Sequence, residues 1–195
     1  MSGFPEFALD RAFGHPRGLL GTVGGWLMAH HNAATEQQVV RLARLSGSER
    51  VLVIGPGPGV GLRAAAGQAA RVVGVEPSEQ MRQAAAHRCT GLANVALQDG
   101  DAESTGQPDA AFDVALSVNN VQLWPDRIAA LAELRRVLRP GGALLLSTHA
   151  RWLPGGRAGL DSDVRAAGFT DVQVWAWQPP GRAGAQVQAR AVRPA

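Results

Sequence analysis

The stretch VLVIGPGPGVG, residues 51–61, decides how this chain is built. Four apolar residues run without interruption into Gly55, Gly57 and Gly59, and the chain continues as the Ala-rich segment Leu62–Ala70. A short unbroken apolar run bounded by glycine reads as a strand buried on both faces, and the alanines after it read as a helix. A turn this tight needs residues that tolerate positive φ, and a ligand approaches a backbone closely only where no Cβ stands in the way. In a doubly wound sheet, the spot outside the carboxyl end of the first strand is where a nucleotide-like ligand sits.

Outward from that turn, strands and helices alternate. RVVGVE (71–76) reads as a second strand, ending on Glu76 about 17 residues beyond Gly59, where a carboxylate can accept both hydroxyls of a ribose. SEQMRQAAAHR (78–88) reads as a helix with Ser78 as N-cap, and NVALQ (94–98) and FDVALSV (112–118) as strands. PDRIAALAELRRVL (125–138) reads as a helix with proline at its first position and Ile128, Leu131, Leu134 and Leu138 on one face. RPGG breaks it, and ALLLST (143–148) is a fifth strand. DSDVRAAGF (161–169) reads as a short helix closed by Gly168, and DVQVWAWQ (171–178) with AQVQARAV (185–192) as an antiparallel hairpin. Upstream, Thr35 and Gln38 suit a capping box for a helix carrying Val39, Leu42, Ala43 and Leu45. The predicted fold class is α/β: a doubly wound, mostly parallel, seven-stranded sheet with a C-terminal antiparallel hairpin. Residues 1–195 read as one domain, with a Gly- and aromatic-rich flap over 1–35 and the core over 36–195.

Composition narrows the chemistry. The formal charge is only +3 although the isoelectric point is near 10.8, because all 19 basic residues are arginine and both lysine and tyrosine are absent. An isoelectric point raised in this way is weak evidence for a nucleic-acid partner. Without lysine there is no Schiff-base chemistry, and without tyrosine no phenolic acid or base. The lone Cys89 allows no internal disulfide and no multi-cysteine metal site, and reads as a small residue near a helix end; no metal is expected. His30, His31 and His149 are placed where a general base would be useful, but no carboxylate stands at a diagnostic spacing, so no catalytic residue is assigned. The start, MSGFPEFALD, lacks a basic flank followed by an apolar core, and no apolar run reaches membrane-spanning length, so a cytoplasmic protein without a membrane partner is expected.

A glycine turn and an acidic residue do not by themselves choose a cofactor. The dinucleotide pattern G-x-G-x-x-G fails in both registers, since Val60 and Leu62 stand where its third glycine or alanine belongs. The Tyr/Lys pair of a short-chain dehydrogenase and the lysine of a phosphate loop are missing. Taken in order, VLVIGPGPG, VVGVEPS, GDA, FDVALSVNNVQLW and RVLRPGG resemble the signature of the class I S-adenosylmethionine-dependent methyltransferases, in their type 11, small-molecule branch. The resemblance runs from about Glu49 to Thr148 and implies a Rossmann-like fold, S-adenosylmethionine as cofactor and S-adenosylhomocysteine as product. It also implies a cofactor site in which Gly55, Pro56, Gly57 and Gly59 line the methionine part and Glu76, followed by Pro77, holds the ribose. Asp101 with Ala102 would then meet the adenine amino edge, Met81 would pack on the ring, and Asn119 would border the methionine end; Asn120 competes with Asn119 for that place.

One departure stands out. The family pattern V-L-[DE]-I-G carries an acid that helps hold the cofactor's ammonium group, and here that position is Val53. Pro56 and Pro58 also remove N–H donors from the turn. The expected reaction is methyl transfer to an O, N or C nucleophile of a small-molecule substrate, with the acceptor pocket open or completed by a second subunit in a homodimer. Two alternatives stay open. A nucleic-acid methyltransferase would need a basic stripe, whereas Arg182, Arg190 and Arg193 are scattered near one end. A non-catalytic cofactor-binding protein is suggested by Val53.

Overall fold

The first strand, β1 (Arg50–Ile54), is buried from Val51 onward, and its side chains leave alternately toward two separate apolar layers. In the computed structural model, which describes residues 32–181 and 184–195, Leu52 and Ile54 belong to one layer and Val51 and Val53 to the other. That is why VLVI shows no polar alternation: both of its faces are covered by helices.

A helix over residues 32–43 (α1) precedes β1. After it come α2 (Val60–Ala66), β2 (Arg71–Val75), α3 (Glu79–Arg88), β3 (Val95–Gln98) and β4 (Phe112–Val118). A one-turn 3-10 helix (Val121–Leu123) leads to α4 (Arg127–Val137), β5 (Leu138–His149), α5 (Gly156–Ala166), β6 (Thr170–Trp177) and β7 (Gln186–Val192). The strands form one seven-stranded sheet in the order β3-β2-β1-β4-β5-β7-β6. The first five pair in parallel, and β7 pairs antiparallel with both β5 and β6. Val39, Val40, Leu62, Ala65 and Ala85 from α1, α2 and α3 cover one face with Val51 and Val53. Leu131, Leu134, Leu160 and Val164 from α4 and α5 cover the other with Leu52 and Ile54. The order reverses between β1 and β4, so the carboxyl ends of these strands open on a crevice.

The doubly wound architecture matches the sequence reading, and several boundaries differ for identifiable reasons. Thr35 lies inside α1 and is buried, so it caps nothing, and residues 32–35 are helix rather than flap; residues 1–31 fall outside the described residues. Pro125 precedes α4 instead of opening it. The cap is Asp126, whose Oδ1 accepts from the N–H groups of Ile128 and Ala129, both at 3.0 Å. Ile128 is 46% exposed, so the buried stripe of α4 is Ala130, Leu131, Leu134 and Val137, and Leu138 already belongs to β5. β5 absorbs the RPGG segment: Gly141 adopts φ +78° and the strand re-enters register at Ala143 opposite Val114. α5 begins five residues earlier than the pattern suggests. Its glycines weaken the helical signal, but burial of Leu160 and Val164 and the Arg127–Asp163 ion pair at 2.5 Å hold it. Finally, β7 lies within the sheet and β6 forms the edge, with Trp175 Nε1 donating to Gln188 Oε1 at 3.1 Å.

The long loop between β3 and β4 is held by one carboxylate. Glu133 on α4 accepts from the N–H (3.0 Å) and hydroxyl (2.6 Å) of Thr105 and from Nε and Nη2 of Arg136, both at 2.7 Å. Arg136 in turn donates to the Gln107 carbonyl at 2.8 Å and bonds Asp109. The Arg136 guanidinium foremost, then the Thr105 donors, hold the Glu133 carboxyl down at about 2. Charge-assisted bonds of this kind contribute about 2 kcal/mol, so Glu133→Ala should lower the melting temperature by roughly 4–8 °C near neutral pH. A carboxyl with a depressed folded-state pKa stabilises above its unfolded value of 4.5 and loses that contribution as pH falls toward 2. The gap between native and variant melting curves should therefore close between pH 4.5 and 2; a gap that persists at pH 2 would mean the glutamate acts through packing.

Candidate functional site

The turn after β1 bends because three of its residues adopt left-handed backbone: Gly55 at φ +60°, Gly57 at +50° and Gly59 at +85°. Their reasons for lacking a side chain differ. A Cβ on Gly55 would lie 2.5 Å from the Asn120 side chain, and one on Gly59 would lie 2.9 Å from Ala85 of α3. Those two glycines let β4 and α3 pack against the turn. Among the described residues, a Cβ on Gly57 would meet nothing within 4 Å, so there it is φ that demands glycine. Pro56 and Pro58 have no N–H to offer, and the Gly57 N–H donates to Glu76 Oε2 at 3.1 Å.

Glu76 follows the last residue of β2 and is 6% exposed. Its Oε1 accepts from the Ser78 N–H at 3.0 Å, while the Ser78 hydroxyl caps α3 by accepting from the Met81 N–H at 3.4 Å. One carboxylate thus ties the β1 turn to the start of α3. Both oxygens of the Glu76 carboxylate are engaged by backbone N–H groups at the carboxyl ends of β1 and β2. Pro77 between them is exposed, and Met81, in the first turn of α3, is buried.

The loop after β3 closes against the same end of the sheet. The N–H of Glu76 donates to the Gln98 carbonyl at 3.1 Å, and a Cβ on Gly100 would sit 3.0 Å from Val75 Cγ1. Ala102 is buried in the core beside Val75. Asp101 is exposed, and its Oδ1 accepts from the N–H groups of Glu103 (2.9 Å) and Ser104 (2.8 Å), so half of its carboxylate shapes its own turn. The neighbouring Asp99 pairs with Arg82 at 2.7 Å.

At the end of β4 the two asparagines separate clearly. Asn120 Nδ2 donates to the carbonyls of Val118 (2.8 Å), Gly55 (3.0 Å) and Ile54 (3.2 Å), making it a strut that holds the turn. Asn119 adopts φ +57°, and both its Nδ2 and its Oδ1 are buried without a hydrogen-bond partner among the described residues. An amide in that state costs free energy on two counts, backbone strain and lost hydration, and such costs concentrate where a ligand completes the site. A glycine at the turn with space beside it among the described residues, a buried carboxylate, and an amide without a partner among those residues together fit a ligand bearing hydroxyls and a polar, hydrogen-bonding tail.

Among the histidines, His149 ends β5 and stacks at a tilt on Trp152 with ring centroids 4.7 Å apart; burial lowers its pKa. His30 and His31 lie outside the described residues. Cys89 lies at the end of α3, where its sequence context puts it, but it is buried in the apolar layer and not half-buried as that context suggests. No group of three His, Cys, Asp or Glu side chains suited to a metal occurs among the described residues, and no helix among them is long and apolar enough to cross a membrane. Glu36, which no sequence motif marks, joins this end of the sheet through its Oε2, which accepts from the Gly61 N–H. Its signal was an acid on the same helical face as Val39 and Val40, obscured by the capping role given to Thr35 and Gln38.

Residues 52–146 match the protein family described as a methyltransferase domain. An uncharacterised methyltransferase of Bacillus subtilis is 27% identical over 162 residues, covering 78% of this chain and 88% of that protein. The 27-O-demethylrifamycin SV methyltransferase of Amycolatopsis mediterranei is 33% identical over 144 residues, covering 68% of this chain and only 52% of that enzyme. In fold, the chain is similar to a phosphoethanolamine N-methyltransferase of Haemonchus contortus solved with S-adenosylhomocysteine, with a TM-score of 0.80 at 18% identity, covering 100% of this chain and 61% of that one. The geometry at the strand ends, the ordered motifs and these likenesses converge: residues 52–146 of this chain are a methyltransferase domain of the S-adenosylmethionine-dependent family.

Proposed function

We propose that this protein passes the methyl group of S-adenosylmethionine to an oxygen, nitrogen or carbon nucleophile of a small molecule, releasing S-adenosylhomocysteine. The observation that carries the reading is the Asn119 amide, buried and unpaired on a left-handed backbone next to the strut that grips the β1 turn. The cofactor's sulfonium brings an already activated methyl group, so the work left to the chain is orientation and exclusion of water. The Glu76 carboxylate, fixed in place by the N–H groups of Gly57 and Ser78, accepts the ribose hydroxyls. Gly55, Pro56, Gly57 and Gly59 shape the turn around the methionine portion, and Asn119 meets its end. Asp101 and Ala102 border the adenine amino edge, and Met81, with Pro77 at the head of its helix, packs against the ring. An acceptor that is already nucleophilic needs no general base, and none is assigned.

A small acceptor is supported by the rifamycin SV relative and by the brevity of the connection between β5 and α5, where only residues 150–155 intervene. No substrate-binding insertion fits there, which leaves the acceptor side open or closed by a second copy of the chain.

Calorimetric titration should show one S-adenosylhomocysteine site per chain. Glu76→Gln should weaken it by roughly 10- to 100-fold, the cost of losing a charged hydrogen-bond acceptor. Unchanged affinity in that variant would remove Glu76 from the site. Asn119→Gly separates site from scaffold more sharply. Glycine tolerates the left-handed backbone and discards the orphan amide, so the free protein should melt about 2–4 °C higher while binding the cofactor more weakly. A lower melting temperature together with intact binding would make Asn119 a structural residue. Acceptor-dependent release of S-adenosylhomocysteine across a panel of phenols, amines and activated methylene compounds, with none from RNA, is the expected turnover pattern.

A further inference from the structure

Val53 stands where the family pattern has an acid, and it faces the layer made by α1, α2 and α3. There it lines a small cavity of about 20 Å³ together with Gly55 and Pro56 of the β1 turn and Glu36 of α1. The Glu36 carboxylate reaches the turn itself, since its Oε2 accepts from the Gly61 N–H. A Cβ on Gly61 would stand 2.8 Å from that oxygen, so the fourth glycine of GPGPGVG is the opening that admits the carboxylate. Its second oxygen makes no hydrogen bond among the described residues.

We propose that Glu36 replaces the missing strand acid and binds the ammonium group of the cofactor's amino-acid tail, reaching the same turn from α1 instead of from β1. The inference rests on the S-adenosylmethionine reading above. A carboxylate walled by Val39, Val40, Val53 and Leu116 is costly to ionise without a cation beside it, and burial, only partly offset by the Gly61 N–H, raises its pKa to about 7. The charged group whose field reaches it is Arg88 at the end of α3, but the Nε of that guanidinium donates to the Pro58 carbonyl at 2.7 Å. A cavity of this volume holds one group the size of a water molecule, which is also the size of an ammonium. In the free protein, a raised carboxyl pKa stabilises the fold below pH 4.5 and loses that contribution as pH rises through 7. An arriving ammonium favours the ionised form, so binding near pH 6.5 expels a proton.

The test compares S-adenosylhomocysteine with methylthioadenosine, which keeps the adenosine and the thioether but has no amino-acid tail. Glu36→Gln should weaken S-adenosylhomocysteine by about tenfold or more and leave methylthioadenosine within about twofold. Val53→Asp introduced into that variant should recover part of the loss. Calorimetry of the native chain in buffers of differing ionisation enthalpy should register proton release with S-adenosylhomocysteine at pH 6.5 and none with methylthioadenosine, a readout that needs no variant to fold. At pH 8 the ligand-free Glu36→Gln protein should melt no lower than the native chain, which a merely structural glutamate would not allow. Equal losses for both ligands, or no loss for either, overturn the role of Glu36 alone. Failure of the native chain to bind either ligand overturns the cofactor reading, and this inference with it.

Discussion

Gly57 and Glu76 are joined by one hydrogen bond, and through it the turn leaving β1 is fastened to the end of β2. The bond requires a left-handed residue at 57, and it forms where Pro56 and Pro58 have removed the competing N–H donors. Because Glu76 also accepts from Ser78, the same carboxylate sets where α3 begins and hence where Met81 stands. Asn120 braces the other side of the turn against β4. With its neighbours held this way, the backbone around Gly57 is fixed in position by the strands and helix it touches.

The two apolar layers make that turn rigid. β1, β2 and β4 are buried on both faces, so their carboxyl ends cannot move independently of α1–α3 on one side and α4–α5 on the other. Against this background two polar groups are conspicuous, one just past the end of β4 and one on α1. Asn119 has no partner among the described residues, and Glu36 is held in an apolar wall that opposes its charge. Groups that cost stability in the free chain are reasonable where binding returns that cost, which is how a site comes to differ from the scaffold around it.

Much of the fold was legible because it is written locally. VLVI, RVVGV and ALLL are short apolar runs punctuated by glycine, and the Ala- and Leu-rich segments between them have helical spacing, so strand and helix alternate without ambiguity. Ser78 and Gly168 marked helix ends through their own chemistry. The errors fall where a distant contact overrode a local preference. Leu160 and Val164 reach the core and draw Gly156 and Gly159 into a helix, and pairing with Phe112 pulls Leu138 out of α4 into β5.

From the sequence alone came the parallel α/β order, the glycine turn and the acid that ends β2, because each depends on residues close together in the chain. Only the folded molecule separated Asn119 from Asn120, slotted β7 between β5 and β6, and brought Glu36 to the amide of Gly61. Those outcomes join residues up to 66 positions apart, as Asn120 and Ile54 are, and depend on which buried donors and acceptors meet. No local pattern of side chains encodes that pairing; packing the layers together does.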